Sequence, residues 1–356
     1  MGIDSLARPE IVAMKPYSSA RKEAPGEGIL LNANESPRPL LEDSGLNRYP
    51  DPQPAELVAR LADLYGVPGE NVLVTRGSDE GIDLLTRVFC RAGQDAILQC
   101  PPTFGMYKIA AQTQGAEIIS VLRSGAAFSL DEGALLGALQ QDQRIKLIFL
   151  TSPNNPTGDL IREDFLQQLL EAAQSRAIVV VDEAYAEFCR QPSAARMVDD
   201  HENLVVLRTM SKAWAAAGLR CGAVLAQPSV IALLRRVIAP YPLPSPVVAL
   251  ALRMLDSEVL EKQQHLMSEV RANKEFLLRQ LEGRDFIREI IPGEANFVLI
   301  QVRDADELLT HCANHGVIIR GFPADPSLRE YIRISVGSQS DIATLGDVLD
   351  EWEENV

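Results

Sequence analysis

Five segments in the first two thirds of the chain place polar or aromatic side chains directly after short runs rich in Val, Ile and Leu. Arg76-Gly77-Ser78-Asp79-Glu80-Gly81 follows Asn71 to Thr75 and opens a helical pattern. Small residues there let the backbone approach a ligand, and unpaired N–H groups at a helix start attract phosphate; a plain N-cap is the alternative. Cys100-Pro101-Pro102-Thr103-Phe104-Gly105-Met106-Tyr107 follows Asp95 to Gln99. An aromatic ring held by this proline turn could stack on a flat heterocycle or plug the core. Thr151-Ser152-Pro153-Asn154-Asn155-Pro156-Thr157-Gly158 follows Ile145 to Leu150. It is a simple turn or a source of an amide donor for an oxyanion, with Asn155-Pro156 a candidate cis bond.

The other two segments carry charge. Asp182-Glu183-Ala184-Tyr185 follows Ile178 to Val181. A carboxylate in that place has lost much of its water and needs a cation or donor beside it, unless it caps the next element. Arg208-Thr209-Met210-Ser211-Lys212 follows Leu204 to Leu207, with Gly218-Leu219-Arg220-Cys221-Gly222 close behind. A lysine so placed is ordinarily solvated, but where ligand-facing loops converge positive neighbours can keep it neutral and nucleophilic.

The elements that must position these groups are strands and helices in alternation. The apolar runs, continued by Ala223 to Ala226, have strand length and the composition of strands covered on both faces. Between several of them lie helical patterns, such as Glu80 to Cys90 with Ile82, Leu85, Val88 and Phe89 on one side. Alternation of this kind predicts an α/β fold with a mostly parallel, doubly wound sheet, in which ligands gather at the C-terminal strand ends. Pro240-Tyr241-Pro242-Leu243-Pro244-Ser245-Pro246 breaks both patterns. Beyond it, a long helical pattern over 247–281 and short strands near Phe297 to Val302, Gly316 to Arg320 and Tyr331 to Val336 predict a smaller α+β domain. The expected division is an arm over 1–29, part of the small domain over 30–47, a large domain over 48–246, and an interdomain helix with the small domain over 247–356.

Composition sets the outer limits. At 356 residues, with 46% hydrophobic and 23% charged residues, the chain is long enough for two cores. A formal charge of −15 opposes general affinity for nucleic acid or anionic lipid, so anionic ligands require locally concentrated cations. No apolar run has the length of a membrane span, and no secretory signal is recognisable, so a cytoplasmic protein is expected. Five scattered cysteines without a CxxC pair argue against a disulfide framework or a zinc site and for buried thiols. His311 and His315 stand at i, i+4, but the intervening residues offer no third ligand, so no metal site is expected.

Taken together, the five motifs and their order resemble those of fold-type I pyridoxal-phosphate enzymes. The resemblance to the histidinol-phosphate aminotransferases covers nearly the whole chain, from Leu31-Asn32-Ala33-Asn34-Glu35 and Asn47-Arg48-Tyr49-Pro50 to Ile238-Ala239-Pro240-Tyr241-Pro242-Leu243 and Ile332-Arg333-Ile334-Ser335-Val336-Gly337. It implies a pyridoxal 5'-phosphate enzyme exchanging the amino group between L-histidinol phosphate and 2-oxoglutarate, as a homodimer. Lys212 would carry the cofactor as a Schiff base and move the α-proton, Asp182 would pair with the pyridine nitrogen, and Tyr185 and Asn155 would bond the 3′ oxygen. Backbone donors at Ser78 and Asp79, the Ser211 hydroxyl and Arg220 would bind the phosphate, with Tyr49 reaching it from the other subunit. Phe104 would stack on the ring; many relatives have tyrosine there, so a hydroxyl contact is missing while the stacking face remains. Tyr17, Asn34, Arg320 and Arg333, with Tyr241, are implied on the substrate side. A threonine-phosphate-type decarboxylase, an aromatic amino acid aminotransferase and a non-catalytic cofactor-binding module are the alternatives.

Overall fold

The protein, described by a computed structural model, is defined over residues 2–16, 29–42 and 44–355. A short α1 (Pro9–Ala13) precedes α2 (Ala55–Tyr65), and the first strand, β1 (Val72–Thr75), leads into α3 (Ser78–Phe89). Then come β2 (Ala96–Gln99), α4 (Met106–Gln114), β3 (Glu117–Ser120), α5 (Glu132–Gln141), β4 (Ile145–Thr151), α6 (Glu163–Ala173), β5 (Ile178–Asp182), β6 (Leu204–Thr209), β7 (Gly222–Ala226) and α7 (Pro228–Leu234). The seven strands form one sheet in the order β1-β7-β6-β5-β4-β2-β3. Only β7 runs against its neighbours, β1 and β6. The other six strands therefore end at one edge, and all five motifs emerge there or at the turn into the antiparallel strand.

Side chains alternate across a strand, and here both faces are covered. Val74, Leu98, Ile148, Leu150, Val179, Val181 and Val206 pack on one face with Leu61, Phe165 and Leu169 of α2 and α6. Leu73, Ile97, Leu147, Phe149, Val180, Val205 and Leu207 pack on the other with Ile82, Leu85 and Phe89 of α3. This is the doubly wound arrangement the alternation predicts. The buried Cys90, Cys100, Cys221 and Cys312 sit within the cores as expected, and Cys189 is partly exposed.

The remainder forms a four-stranded antiparallel sheet, β10-β11-β9-β8, with helices packed against it. Its elements are α8 (Ser245–Met254), α9 (Ser257–Leu281), β8 (Ile287–Ile291), β9 (Phe297–Val302), α10 (Ala305–Asn314), β10 (Arg320–Gly321), β11 (Tyr331–Ser335) and α11 (Gln339–Asn355). The expected helix over 247–281 is two helices, separated at Leu255 and Asp256. The strand expected over Gly316 to Arg320 pairs only at Arg320 and Gly321. The acidic C-terminal helix turns Leu349 and Trp352 inward, as its spacing predicts. Among the described residues, no helix is long and apolar enough to cross a membrane.

A close backbone contact brings the second sheet to the first. Gly158, at the end of the loop after β4, meets Gly293: a Cβ on either would lie 2.6 Å from the other's Cα. Glu294 N–H donates to the Gly158 carbonyl at 2.7 Å. Lys274 of α9 fixes the same loop by donating to the carbonyls of Gly293 and Ala295 at 2.7 and 2.8 Å. Burial in that setting pushes the Lys274 amine down to about 8. The result is that β11, with Arg333 on it, lies over the loop that carries Asn155.

Candidate active site

At the C-terminal edge of the large sheet, a cavity of about 130 Å³ is lined by Ser78, Asp79, Phe104, Thr151, Asp182, Ala184, Tyr185, Thr209, Ser211, Lys212, Ala217 and Arg220. All five motifs supply lining residues, and the loop after β4 also places Asn155 behind Tyr185. A larger cavity of about 660 Å³ lies against the N-terminal ends of β5 and β6, beside Asp200 to Asn203 and Gly2 to Leu6. It gathers no comparable set of opposed acids, bases and donors.

One wall of the small cavity is a cradle for an anion. Gly77 precedes α3 with φ 78°, a conformation that suits glycine, and no side chain caps the helix. The first N–H groups, those of Ser78 and Asp79, are thus not taken by a cap and carry the positive end of the helix. Space is tight: a Cβ on Gly77 would come within 2.8 Å of Arg220 Nη2, and one on Gly222 within 2.8 Å of the Gly77 carbonyl carbon. Arg220 itself adopts φ 52° and donates to Ser211 Oγ at 3.0 Å and Asp79 Oδ2 at 3.1 Å. A dianionic phosphate fits this set of two backbone donors, a hydroxyl and a guanidinium.

The opposite wall holds a buried acid. Asp182 is 2% exposed at the end of β5. Its Oδ2 accepts from the Tyr107 hydroxyl at 2.8 Å and its Oδ1 from the Ala184 N–H at 3.1 Å. Burial pushes this carboxyl up to about 6, against the opposing pull of those two hydrogen bonds. Among the described residues no cation pairs with it. A carboxylate has capacity for further donors, so a protonated ring nitrogen would supply the missing partner.

Between the walls, Lys212 Nζ stands 5.8 Å from the centre of the Tyr185 ring. Protein encloses much of its surroundings while water still reaches the side chain through the cavity mouth. Burial first, then the nearby Arg333 charge, lowers its pKa. Tyr185 accepts from Asn155 Nδ2 at 3.2 Å, and burial holds its hydroxyl up to about 12. Asn155 Oδ1 in turn accepts from Arg333 Nη1 at 2.6 Å. The Asn155–Pro156 bond is cis.

A sequence model of the family Aminotransferase class I and II matches residues 18–349. The chain belongs to the class I and II aminotransferases. This aminotransferase is 44% identical over 343 residues to the histidinol-phosphate aminotransferase of Aeromonas salmonicida (strain A449), covering 96% of each chain. It is 43% identical over 342 residues to the histidinol-phosphate aminotransferase of Yersinia pseudotuberculosis serotype O:1b (strain IP 31758), covering 95% of this chain and 88% of that one. Its fold matches the crystal structure of histidinol-phosphate aminotransferase from Sinorhizobium meliloti in complex with pyridoxal-5'-phosphate, with TM-score 0.79, 22% identity, and coverage of 87% and 84%.

Not every expected residue of the aminotransferase reaches the cavity. Tyr49 is 49% exposed and stacks on Tyr241 with ring centres 4.5 Å apart. Asn34, with φ 56°, lies exposed in the segment before it, and Tyr17 falls outside the described residues. Arg320 and Arg333 face each other across the β10–β11 pair and line an adjoining cavity of about 500 Å³. Arg333 has its Nε buried without a partner, and no carboxylate among the described residues pairs with it.

Two groups of residues beside the cavity escaped sequence reasoning. Tyr107 is fully buried, stacks on Phe149 and hydrogen-bonds both Asp182 and Thr151 Oγ1. Its position three residues after Phe104 marks it as a core aromatic, but nothing local reveals its partner. Glu183 and Glu187 are held by Arg208 at 2.7 Å each, under the loop that bears Tyr185.

Proposed function

We propose that the chain is a pyridoxal 5'-phosphate dependent aminotransferase exchanging the amino group between L-histidinol phosphate and 2-oxoglutarate, giving imidazole acetol phosphate and L-glutamate in histidine biosynthesis. The observation that carries this reading is the meeting of the anion cradle, the buried Asp182 and Lys212 in one cavity of a chain 44% identical to a histidinol-phosphate aminotransferase along 96% of both lengths.

The residues fit the cofactor. The Ser78 and Asp79 N–H groups, Ser211 and Arg220 would hold its phosphate, Phe104 would cover its ring, and Lys212 Nζ would hold it covalently. Asp182, as a buried anion, keeps the pyridine nitrogen protonated. Asn155 and Tyr185 hydrogen-bond the ring's 3′ oxygen. When bound, the cofactor supplies an electron sink for the negative charge left at the substrate α-carbon. Once the substrate amine has displaced it from the cofactor, Lys212 Nζ, its basicity lowered by burial and Arg333, would take the proton from that carbon and return it. Arg333 and Arg320 receive the anionic end of the substrate, in the cleft between the part over 48–246 and the part over 247–356.

A homodimer completes the site in this reading. Ile29, Leu31, Leu40 and Leu41 are 91%, 90%, 101% and 67% exposed, in the same segment as Asn34 and Tyr49. An apolar strip of this kind suits a symmetric interface that places Asn34 and Tyr49 at the partner's cleft. Two inactive variants, Tyr49→Ala and Lys212→Ala, should regain partial activity on subunit exchange; a fully active monomer in sedimentation would reject the dimer. The five free thiols suit a cytoplasmic setting. Incubation with histidinol phosphate and 2-oxoglutarate should yield glutamate, whereas carbon dioxide from threonine phosphate, without glutamate, would replace this function with a decarboxylase.

A further inference from the structure

A histidine pair with no part in the cleft gains a third neighbour from the fold. His311 and His315 stand one turn apart at the end of α10, and α11 brings Glu351 against them. One ligand atom from each of the three lies within 4.8 Å of the other two. The carboxylate that the sequence around the pair lacks is thus supplied by the C-terminal helix. None of the three lines the cavity of Lys212 or the cavity of Arg333.

The geometry is already close to that of a coordination sphere. His315 Nδ1 lies 2.8 Å from the His311 carbonyl, so a ring that donates there has Nε2 as the nitrogen free to ligate once deprotonated. That Nε2 is 3.2 Å from Glu351 Oε1. With the ring protonated the two form an ion pair, and a metal ion that displaces the proton would lie between them. Two ligands bound at about 2.1 Å with tetrahedral angles are roughly 3.4 Å apart, which matches. The His311 ring is fixed in a similar way, by the Val348 carbonyl at 3.1 Å from Nε2 and by Trp352, 5.3 Å away between ring centres. Backbone carbonyls on the far nitrogen are the usual means by which a protein orients a ligating imidazole.

We propose that His311, His315 and Glu351 form a binding site for a divalent first-row transition metal ion of the Zn²⁺ or Ni²⁺ type, joining α10 to α11. Two imidazoles and one carboxylate select such an ion over Mg²⁺ or Ca²⁺, which favour all-oxygen shells. Water completes the sphere.

The test uses the full-length, cofactor-loaded enzyme after dialysis against a chelator, titrated calorimetrically with Zn²⁺, Ni²⁺ and, as control, Mg²⁺. One Zn²⁺ or Ni²⁺ per chain should bind, and Mg²⁺ should not. His315→Ala and Glu351→Gln should each weaken binding roughly tenfold or more, while metal-free melting temperature and turnover stay at parental values. Co²⁺ should give visible d–d bands in the parent that His315→Ala abolishes. Stoichiometric binding that persists unchanged in the His311→Ala, His315→Ala double variant would overturn the assignment. Absence of saturable binding up to about 1 mM would overturn it too, leaving an ion pair beside stacked rings.

Discussion

Cofactor-free Asp182→Asn should be more stable than the cofactor-free parent at pH 8, and should lose that advantage as the pH falls toward 4. The Asp182 carboxyl lies at about 6 in the folded chain, from an ordinary value of 3.8, because burial penalises its charge. A pKa raised by folding contributes stability that is full below about 4 and is lost as pH rises through 6. At 1.36 kcal/mol per pH unit, the difference between 3.8 and about 6 is worth about 3 kcal/mol, and Asn removes the penalty while its Oδ1 accepts from the Ala184 N–H and its Nδ2 donates to the Tyr107 hydroxyl, which turns its own proton to Thr151. With the cofactor bound, the sign should reverse. The anion then has the protonated ring nitrogen as partner, and the Asn variant should bind cofactor yet lose turnover steeply. Thermal unfolding of both proteins, free and loaded, from pH 4 to 8 reads all four states. A cofactor-free variant less stable than the parent at every pH, or one with parental turnover, would remove Asp182 from this role.

Arg333→Ala should slow both half-reactions without destabilising the cofactor-free fold. A transaminase receives its two partners in turn at one cofactor, and here one partner presents a phosphate where the other presents a carboxylate. A planar guanidinium forms paired hydrogen bonds with either, which a lysine cannot. Arg333 is suited to this because its Nε is buried without a partner and burial lowers its pKa, both signs of a cation lacking an anion. Truncation should cost roughly 2–5 kcal/mol in each half-reaction, about thirtyfold to several thousandfold in kcat/KM. Arg320→Ala should harm histidinol phosphate more than glutamate. Single-turnover rates for each substrate decide the matter. If Arg333→Ala keeps either rate within about twofold of the parent while folded and loaded, a shared anchor is wrong.

The site was legible in the sequence where position along the chain determines position in space. A polar group directly after a buried strand of a parallel sheet has one place to be, so Ser78, Asp182, Tyr185 and Lys212 could be brought together without coordinates. Pairs joined only by folding were not legible. Tyr107 reveals itself as a core aromatic, but its partner Asp182 comes from another strand. Arg333 meets Asn155 only because Gly158 and Gly293 let two loops touch. In the fold, β3 and β8 escaped notice because each lies at a sheet edge and is incompletely buried, which removes the apolar run that marks a central strand. The break at Leu255 and Asp256 was hidden by helical periodicity that continues across it without Gly or Pro.

The substrate is tested most directly by a half-reaction. L-Histidinol phosphate added to the loaded enzyme with no keto acid present should convert the absorbance of the Lys212-bound cofactor to that of the pyridoxamine form, and 2-oxoglutarate should restore it. A spectrum that histidinol phosphate leaves unchanged, while an aromatic amino acid converts it fully, would contradict the assignment.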